Sequence, residues 1–175
     1  MLLYHGSYAE IKTLDLAYGR FNLDFGKGFY VTGLKEQAEK WARRRASMIK
    51  LVENIENPEP VVSIYDFDVD RPDLNIRRFT GYTEEWLDFV VSNRGAEEEK
   101  VDNEYDVIFG NIANDDVAAV VDDYMRLLSK GRLDSSGKQF FLNQLQYSKP
   151  NDQFCIVTEK ALNILFFVRS YISRE

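Results

Sequence analysis

Two short motifs near the start of the chain carry residue types that could bind a ligand. Residues 3–7 (Leu-Tyr-His-Gly-Ser) contain the only histidine in the 175 residues, and residues 25–30 (Phe-Gly-Lys-Gly-Phe-Tyr) place a lysine between two glycines ahead of an aromatic strand. Glycine lets a ligand approach backbone N–H and C=O groups, and an imidazole and an aromatic ring add hydrogen bonding and stacking. The spacings fit neither the Gly-x-x-x-x-Gly-Lys-Ser/Thr phosphate loop nor the glycine-rich dinucleotide fingerprint.

Together, the two motifs resemble the catalytic core of the diphtheria-toxin-like and poly-ADP-ribose-polymerase-like ADP-ribosyltransferases, over about residues 2–42 and 146–162. In that family an aromatic-His-Gly-Ser strand precedes Phe-Gly-Lys-Gly-hydrophobic-Tyr, and a glutamate lies on a late strand. The resemblance implies that NAD is the substrate and that no metal is needed. It also implies that His5 hydrogen-bonds the ribose next to nicotinamide, that Gly6 holds the carboxamide through its backbone, and that Tyr30 stacks on the pyridine ring.

The resemblance extends to further NAD-binding positions. Trp41 lies eleven residues after Tyr30, where the family has a second aromatic ring against nicotinamide, and Ser7 and Gly28 complete the expected set. The family's carboxamide-binding serine corresponds to Ala38, so one contact is missing. Taken singly, each residue has a structural interpretation as a core aromatic, a core histidine or a turn glycine. The joint order and spacing favour the functional interpretation.

Gln153 is the main departure from the family. Residues 150–157 (Pro-Asn-Asp-Gln-Phe-Cys-Ile-Val) resemble the late Tyr-Asn-Glu-Tyr-Ile-Val segment, with Gln153 in place of the glutamate. A carboxylate stabilises the developing oxocarbenium charge and can act as a general base, whereas glutamine can orient a ribose hydroxyl but cannot accept a proton. Asp152, expected on the opposite face of the strand, or Glu159 could supply a carboxylate instead. We expect Gln153→Glu to raise glycohydrolase activity if this side chain faces the ribose.

The function implied by the resemblance is NAD-dependent mono-ADP-ribosyl transfer to a protein or nucleic-acid acceptor, with His5, Tyr30 and Gln153 as catalytic residues. The chain also resembles a bacterial subfamily of undefined function whose members combine both motifs with a late Gln-x-x-x-x-Thr-Glu-Lys-Ala-Leu pattern. That pattern matches residues 153–162 and suggests the toxin of a toxin–antitoxin pair, held by a small antitoxin protein. The alternatives are an inactive module that binds NAD or ADP-ribose, and an NAD glycohydrolase.

The elements that must position these residues form an irregular mixture of short strands and helices, which favours a single α+β domain over residues 1–175. By the resemblance, its core is a split antiparallel β-sheet flanked by helices. Strands are predicted near residues 2–4, 28–32, 61–67, 105–109 and 153–158, and helices at 34–55, from 83, at 115–128, at 137–145 and from about 159 to 171.

The composition restricts partners and location. A net charge of −7 and a pI near 4.9 argue against nucleic-acid binding by bulk electrostatics, and the consecutive arginines at 43–45 are interpreted as a solvated helix face. One histidine and one cysteine argue against a zinc site of the usual ligands, and Cys155 is interpreted as an inert core thiol. Neither a signal peptide nor a membrane-spanning stretch is predicted, so a cytoplasmic location without membrane association is expected.

Overall fold

The fold is a mixture of strands and helices, as the sequence predicts. The computed structural model describes residues 1–52, 55, 57–95, 104–112, 115–145 and 151–174. The strands are β1 (Leu2–Ser7), β2 (Phe29–Val31), β3 (Val61–Phe67), β4 (Ile76–Arg78), β5 (Val107–Gly110), β6 (Gln153–Ile156) and β7 (Leu165–Ile172). The helices are α1 (Lys35–Val52), α2 (Glu84–Arg94), α3 (Asp115–Ser129), α4 (Ser135–Leu145) and α5 (Glu159–Leu162), with a short 3-10 helix at Leu16–Tyr18.

The strands form two sheets. The first has the order β1-β3-β7 and the second β2-β6-β5-β4. All pairs are antiparallel except β4 and β5, which run parallel because α2 lies in the connection between them. That pair is an exception to the antiparallel core that the family resemblance implies. One isolated pairing, Tyr4 with Thr32, joins the edge of β1 to the edge of β2.

The protein has two main hydrophobic cores, and alternate side chains along the strands of the second sheet pack into one or the other. Leu3 of β1 and Tyr65 of β3 pack with Ile156 of β6, so the two sheets bury a shared core between them. On the other face of the second sheet, Ile108 and Cys155 pack against helices α2, α3 and α4. This alternation, with a period of two residues, decides which side chains of β2 and β6 belong to which face.

Helix α1 covers the outer face of the first sheet. Its buried residues Ala38, Ala42, Ala46 and Ile49 recur at steps of three and four, which is the pattern that predicted this helix. Its described part runs to Val52, and the predicted end near residue 55 falls among residues 53, 54 and 56, which lie outside the described part. Helix α2 begins where the sequence predicts, with Thr83 as its N-cap: Thr83 Oγ1 accepts a hydrogen bond from the backbone N–H of Trp86.

The prediction of a long final helix is wrong. Helix α5 stops at Leu162, and residues 165–172 form β7, which pairs along its length with β3. The segment Leu-Phe-Phe-Val-Arg-Ser-Tyr-Ile is rich in aromatic and β-branched residues, which suit a strand, and β3 offers it a free edge. Its apolar residues also satisfy a helical spacing, so periodicity alone could not decide. Within the described ranges, no helix is long and apolar enough to cross a membrane.

Candidate functional site

The pairing between β1 and β2 stops after one pair of residues. Tyr4 and Thr32 exchange backbone hydrogen bonds of 2.8 and 2.9 Å. In a continued antiparallel ladder the next such pair would be Gly6 and Tyr30. Instead, the Tyr30 carbonyl oxygen accepts a hydrogen bond of 2.7 Å from His5 Nδ1, and no bond joins Gly6 to Tyr30 in the described part of the chain. The N–H and C=O of Gly6 therefore point towards the edge of β2 without a bond to Tyr30, and we call this unpaired stretch of the two strand edges the β1–β2 opening.

The Tyr4–Thr32 pair also fixes which side chains share a face. Directly paired residues project to the same side, so the α1 face of β1 continues into the face of β2 that carries Tyr30. Tyr30 is paired with Cys155, and Gln153 lies two residues before Cys155 on the same face. Gly6 thus lies against α1 on one face, Tyr30 and Gln153 lie on the same face of the second sheet, and His5 lies on the opposite face.

His5 has a defined protonation state. A carbonyl can only accept, so Nδ1 carries the proton that it donates to Tyr30 and the neutral ring keeps Nε2 as an acceptor. Burial lowers the pKa of His5 below its ordinary value, and the positive charge of Arg45 acts in the same direction, against the opposing bond to Tyr30. The ring stacks on Phe29 with 4.6 Å between centroids. The imidazole is therefore a neutral, oriented hydrogen-bond acceptor at neutral pH.

Tyr30 holds the preceding loop in place. Its hydroxyl donates to the Gly26 carbonyl over 2.6 Å and accepts from the Phe25 N–H over 3.1 Å. Burial, together with Cys155 and Asp24, raises the pKa of this phenol well above its usual range, so the hydroxyl remains a donor. Both bonds are made at the tip of the side chain, while the ring is partly buried and packs against the core of the second sheet and its helices.

Gly6 and Gly28 allow two close approaches of backbone. A Cβ on Gly6 would lie 2.1 Å from the Ala38 carbonyl oxygen and 2.7 Å from the Ala42 nitrogen, so α1 sits directly on β1. A Cβ on Gly28 would lie 2.4 Å from Cys155 Sγ and 2.6 Å from the Ile156 carbonyl oxygen. Both glycines of the sequence motifs therefore have a packing role. Ser7, also predicted to bind NAD, is buried at the end of β1 opposite Val61.

Trp41 lies on the side of α1 that faces β6. Gln37, one turn earlier, donates from Nε2 to the Asp152 carbonyl over 2.6 Å, and residues four apart lie on the same side of a helix. The opposite side of α1 faces β7, since Glu39 accepts from Tyr171. The Trp41 ring is 44% exposed, with the Arg44 guanidinium 5.5 Å from its centroid. Among the described rings it makes no contact with Tyr30, so the predicted pair of aromatic walls is not closed.

The three consecutive arginines point in different directions, as expected on a helix. Arg43 donates to Ser173 near the end of β7 over 2.7 Å, and Arg44 lies over the Trp41 ring. Arg45 follows Trp41 by one turn, is partly buried and acts electrostatically on His5. Arg43 and Arg45 are partly buried and Arg44 is exposed, so the interpretation of this run as a solvated face fits Arg44 best.

Gln153 has a carboxylate beside it that the sequence did not reveal. Its Nε2 donates to Asp24 Oδ2 over 3.4 Å, and Asp24 Oδ1 accepts from Arg94 Nε at 2.8 Å and Nη2 at 2.7 Å. Asp24 stands directly before the glycine motif, and no motif gave it a predicted role of its own. Arg94 is the last residue of α2 and lies seventy positions after Asp24 in the chain, so no local sequence pattern links Asp24 to Arg94.

The two alternative carboxylates are placed elsewhere. Asp152 Oδ1 accepts from Thr32 Oγ1 over 2.7 Å and from the Gly33 N–H over 2.9 Å, so it anchors the start of α1. Glu159 is exposed on α5, beyond the far end of β6 from Gln153. Neither residue reaches the position of the Gln153 amide. Residues 146–150, where the resemblance to the late family segment begins, lie outside the described part.

Cys155 is fully buried beneath Tyr30, and burial raises the pKa of its thiol to about 12. At neutral pH it is therefore protonated and shielded, which does not suit a nucleophile. Across the residues that the structure describes, His, Cys, Asp and Glu side chains form no group of three that could hold a metal ion.

The fold and site define a class of α+β proteins in which two sheets meet at an interrupted strand pair, with a histidine at that pair and a tyrosine and a glutamine on one face of the second sheet. The chain belongs to the DUF3990 family, described as protein of unknown function, whose model matches residues 1–167. Neither the curated proteins nor the solved structures gave a match to this chain.

Proposed function

We propose that the protein binds NAD in the β1–β2 opening and transfers its ADP-ribose to a protein or nucleic-acid acceptor, with the two sheets as an ADP-ribosyltransferase core. The observation that carries the proposal is the interruption of the strand ladder at Gly6. A carboxamide offers one acceptor oxygen and one donor NH₂, which the N–H and C=O of Gly6 complement. An aromatic amide such as nicotinamide fits this edge, and Tyr30 supplies a ring on the adjacent face.

His5 suits the ribose that follows nicotinamide. Its Nε2 can accept a hydrogen bond from a ribose hydroxyl because Nδ1–H is engaged by Tyr30. Arg45 suits the diphosphate further along the ligand, since it adds a positive charge near His5 in a chain of net charge −7. In this proposal Gly6 binds the carboxamide, His5 the ribose and Arg45 the diphosphate.

The reaction separates nicotinamide from the ribose. The bond between C1′ and the pyridine nitrogen breaks, nicotinamide leaves with the bonding electron pair, and the acceptor attacks C1′ and releases its proton. Gln153 can hold a ribose hydroxyl but cannot take that proton, so it passes to solvent or to a group on the acceptor. Single transfers rather than chain elongation follow from this limit.

Two other functions remain competitors. Gln153 in place of a carboxylate favours a module that binds NAD or ADP-ribose without cleaving it. An NAD glycohydrolase would use water as the acceptor. By the family resemblance, the biological setting that we propose is a bacterial toxin restrained by a small partner protein; induced expression should then slow growth, and His5→Ala should relieve the effect.

The decisive experiment measures nicotinamide release from labelled NAD by purified protein, together with a binding isotherm. His5→Ala and Tyr30→Ala are the test variants, and Tyr18→Ala is the control because Tyr18 is 87% exposed on the surface. We expect release by the wild type and the control, and loss in both test variants. Binding without release would favour the binding module, and a labelled acceptor would separate transfer from hydrolysis. Unchanged NAD binding by folded Tyr30→Ala would show that this site assignment is wrong.

A further inference from the structure

The amide of Gln153 is part of a buried polar chain that ends at the surface. Asp24 is 9% exposed, and its two carboxylate oxygens accept hydrogen bonds from different partners. Oδ1 accepts from Arg94 and Oδ2 from Gln153. Arg94 also forms an ion pair with Asp122, with 3.1 Å between Nη1 and Oδ1. A buried carboxylate requires such partners, because an isolated charge in the interior is strongly unfavourable.

The partner of Nε2 decides what Gln153 offers to a ligand. An amide has a donor end and an acceptor end, and a carboxylate can only accept. Asp24 therefore engages the NH₂ end, so Oε1 is the end left for other contacts. In this orientation the glutamine presents an acceptor oxygen, as a glutamate would, rather than a donor.

We propose that Asp24 is a positioning residue that holds the Gln153 amide with Oε1 towards the ribose hydroxyl of bound NAD. This inference rests on the proposed function. Asp24 and Gln153 together then replace a single glutamate: Gln153 supplies the acceptor oxygen, and Asp24 fixes its orientation. Arg94 keeps Asp24 in place from the opposite side.

The contact with Asp24 also affects how a glutamate at position 153 would act. A second carboxylate would lie about as far from Asp24 as the present 3.4 Å contact, and two like charges at this distance repel each other. Asp24 therefore opposes the rise in glycohydrolase activity that the sequence alone led us to expect for Gln153→Glu, and we expect this single variant to release less nicotinamide than the double variant. The same exchange made together with Asp24→Asn removes the repulsion, because the introduced asparagine can donate from its NH₂ to the new carboxylate.

The test compares wild type, Asp24→Asn, Gln153→Glu and the double variant, with Asp122→Asn as the control that changes the other, exposed partner of Arg94. Nicotinamide release gives kcat and KM, and thermal unfolding shows that each protein is folded. We expect Asp24→Asn to lower kcat about tenfold or more, because the asparagine NH₂ turns the Gln153 amide around. We expect the double variant to recover wild-type kcat or exceed it, and Asp122→Asn to match the wild type.

Recovery in the double variant is the outcome that a merely structural role would not give, since the single and double variants lack the same Asp24–Arg94 ion pair. Wild-type kcat in folded Asp24→Asn, or no recovery in a folded double variant, would overturn the proposal. If Asp24→Asn does not fold, Asp24→Asn with Arg94→Gln removes both charges together and serves in its place.

A second measurement separates this inference from the proposed function. The side-chain amide resonance of Gln153, in ¹⁵N-labelled protein without NAD, should shift in Asp24→Asn and not in Asp122→Asn. An unmoved resonance overturns the positioning role. A moved resonance in a wild type that neither binds nor cleaves NAD would mean that the contact exists and that the proposed function fails.

Discussion

His5 donates from Nδ1 to the backbone carbonyl oxygen of Tyr30 over 2.7 Å. This bond joins the two sequence motifs directly, and it occupies the carbonyl that would otherwise continue the strand ladder with Gly6. The same contact therefore sets the tautomer of the histidine and keeps the strand edges apart. A side chain that replaces a backbone donor is an economical way to leave Gly6 free for a ligand.

The first prediction concerns the charge of His5. Because the chain has one histidine, its imidazole resonances can be followed by NMR without ambiguity, and we expect a pKa below 6.5. The unfolded chain takes up its proton near pH 6.5 and the folded chain only at lower pH, so the free energy of unfolding should decrease between these two values as the solution is acidified. NAD binding should weaken through the folded pKa, because Nε2 then ceases to be an acceptor. A pKa at or above 6.5 would contradict the buried, neutral state.

A second prediction isolates the Tyr30 hydroxyl. Tyr30→Phe keeps the ring but removes two hydrogen bonds to the loop at Phe25 and Gly26, and it leaves a backbone N–H and C=O unsatisfied. We expect a loss of about 1–3 kcal/mol in the free energy of unfolding, measured with urea. Tyr18→Phe, at an exposed site, should change it by less than about 0.5 kcal/mol. Equal effects in the two variants would rule out the loop-holding role.

A third prediction tests the contact between β1 and α1. Gly6→Ala places a methyl group against the backbone of Ala38 and Ala42, which cannot move aside like a side-chain end. We expect destabilisation of about 1–3 kcal/mol or more from this overpacking, together with weaker NAD binding as the opening is distorted. Gly33→Ala is the matched control, because the nearest atom to its Cβ would be 3.4 Å away. A Gly6→Ala protein as stable as Gly33→Ala would contradict the close approach.

A fourth prediction uses the two tryptophans. Trp86 is fully buried among the helices, whereas Trp41 is 44% exposed on the side of α1 that faces β6. NAD should quench the Trp41 fluorescence as nicotinamide stacks on the ring, with Trp86 as a constant background. Trp41→Phe should bind NAD with little change but without that quenching, and Trp41→Ala should bind about 3- to 10-fold more weakly. Quenching that persists in Trp41→Phe would place the ligand elsewhere.

The sequence predicted the parts of the fold that local patterns determine. The spacing of the buried alanines predicts helix α1. Thr83 indicates the start of α2, because capping depends only on neighbouring residues. The apolar residues of 165–172 fit the spacing of a helix as well as that of a strand, and the sequence therefore predicted a helix there. Pairing with β3, which is distant in the chain, makes this segment a strand. The strand pairing thus overrode a local signal.

The candidate site divides in the same way. His5 and Tyr30 could be predicted because each stands in a compact motif. The role of Asp24 could not, since it depends on Gln153 and Arg94, which are 129 and 70 residues away in the chain. Contacts of this kind arise only when separate elements pack, and a single sequence contains no local trace of them.

The burial of Cys155 has a practical consequence. The only thiol of the chain lies under the loop that Tyr30 holds, with Sγ 3.8 Å from the Phe25 carbonyl oxygen. In the native protein it should resist maleimides, so a cysteine introduced on the surface can be labelled alone, without first removing the natural one. The rate at which Cys155 itself is labelled then measures how often the loop opens away from the sheet. Ligands that hold the loop closed should lower this rate.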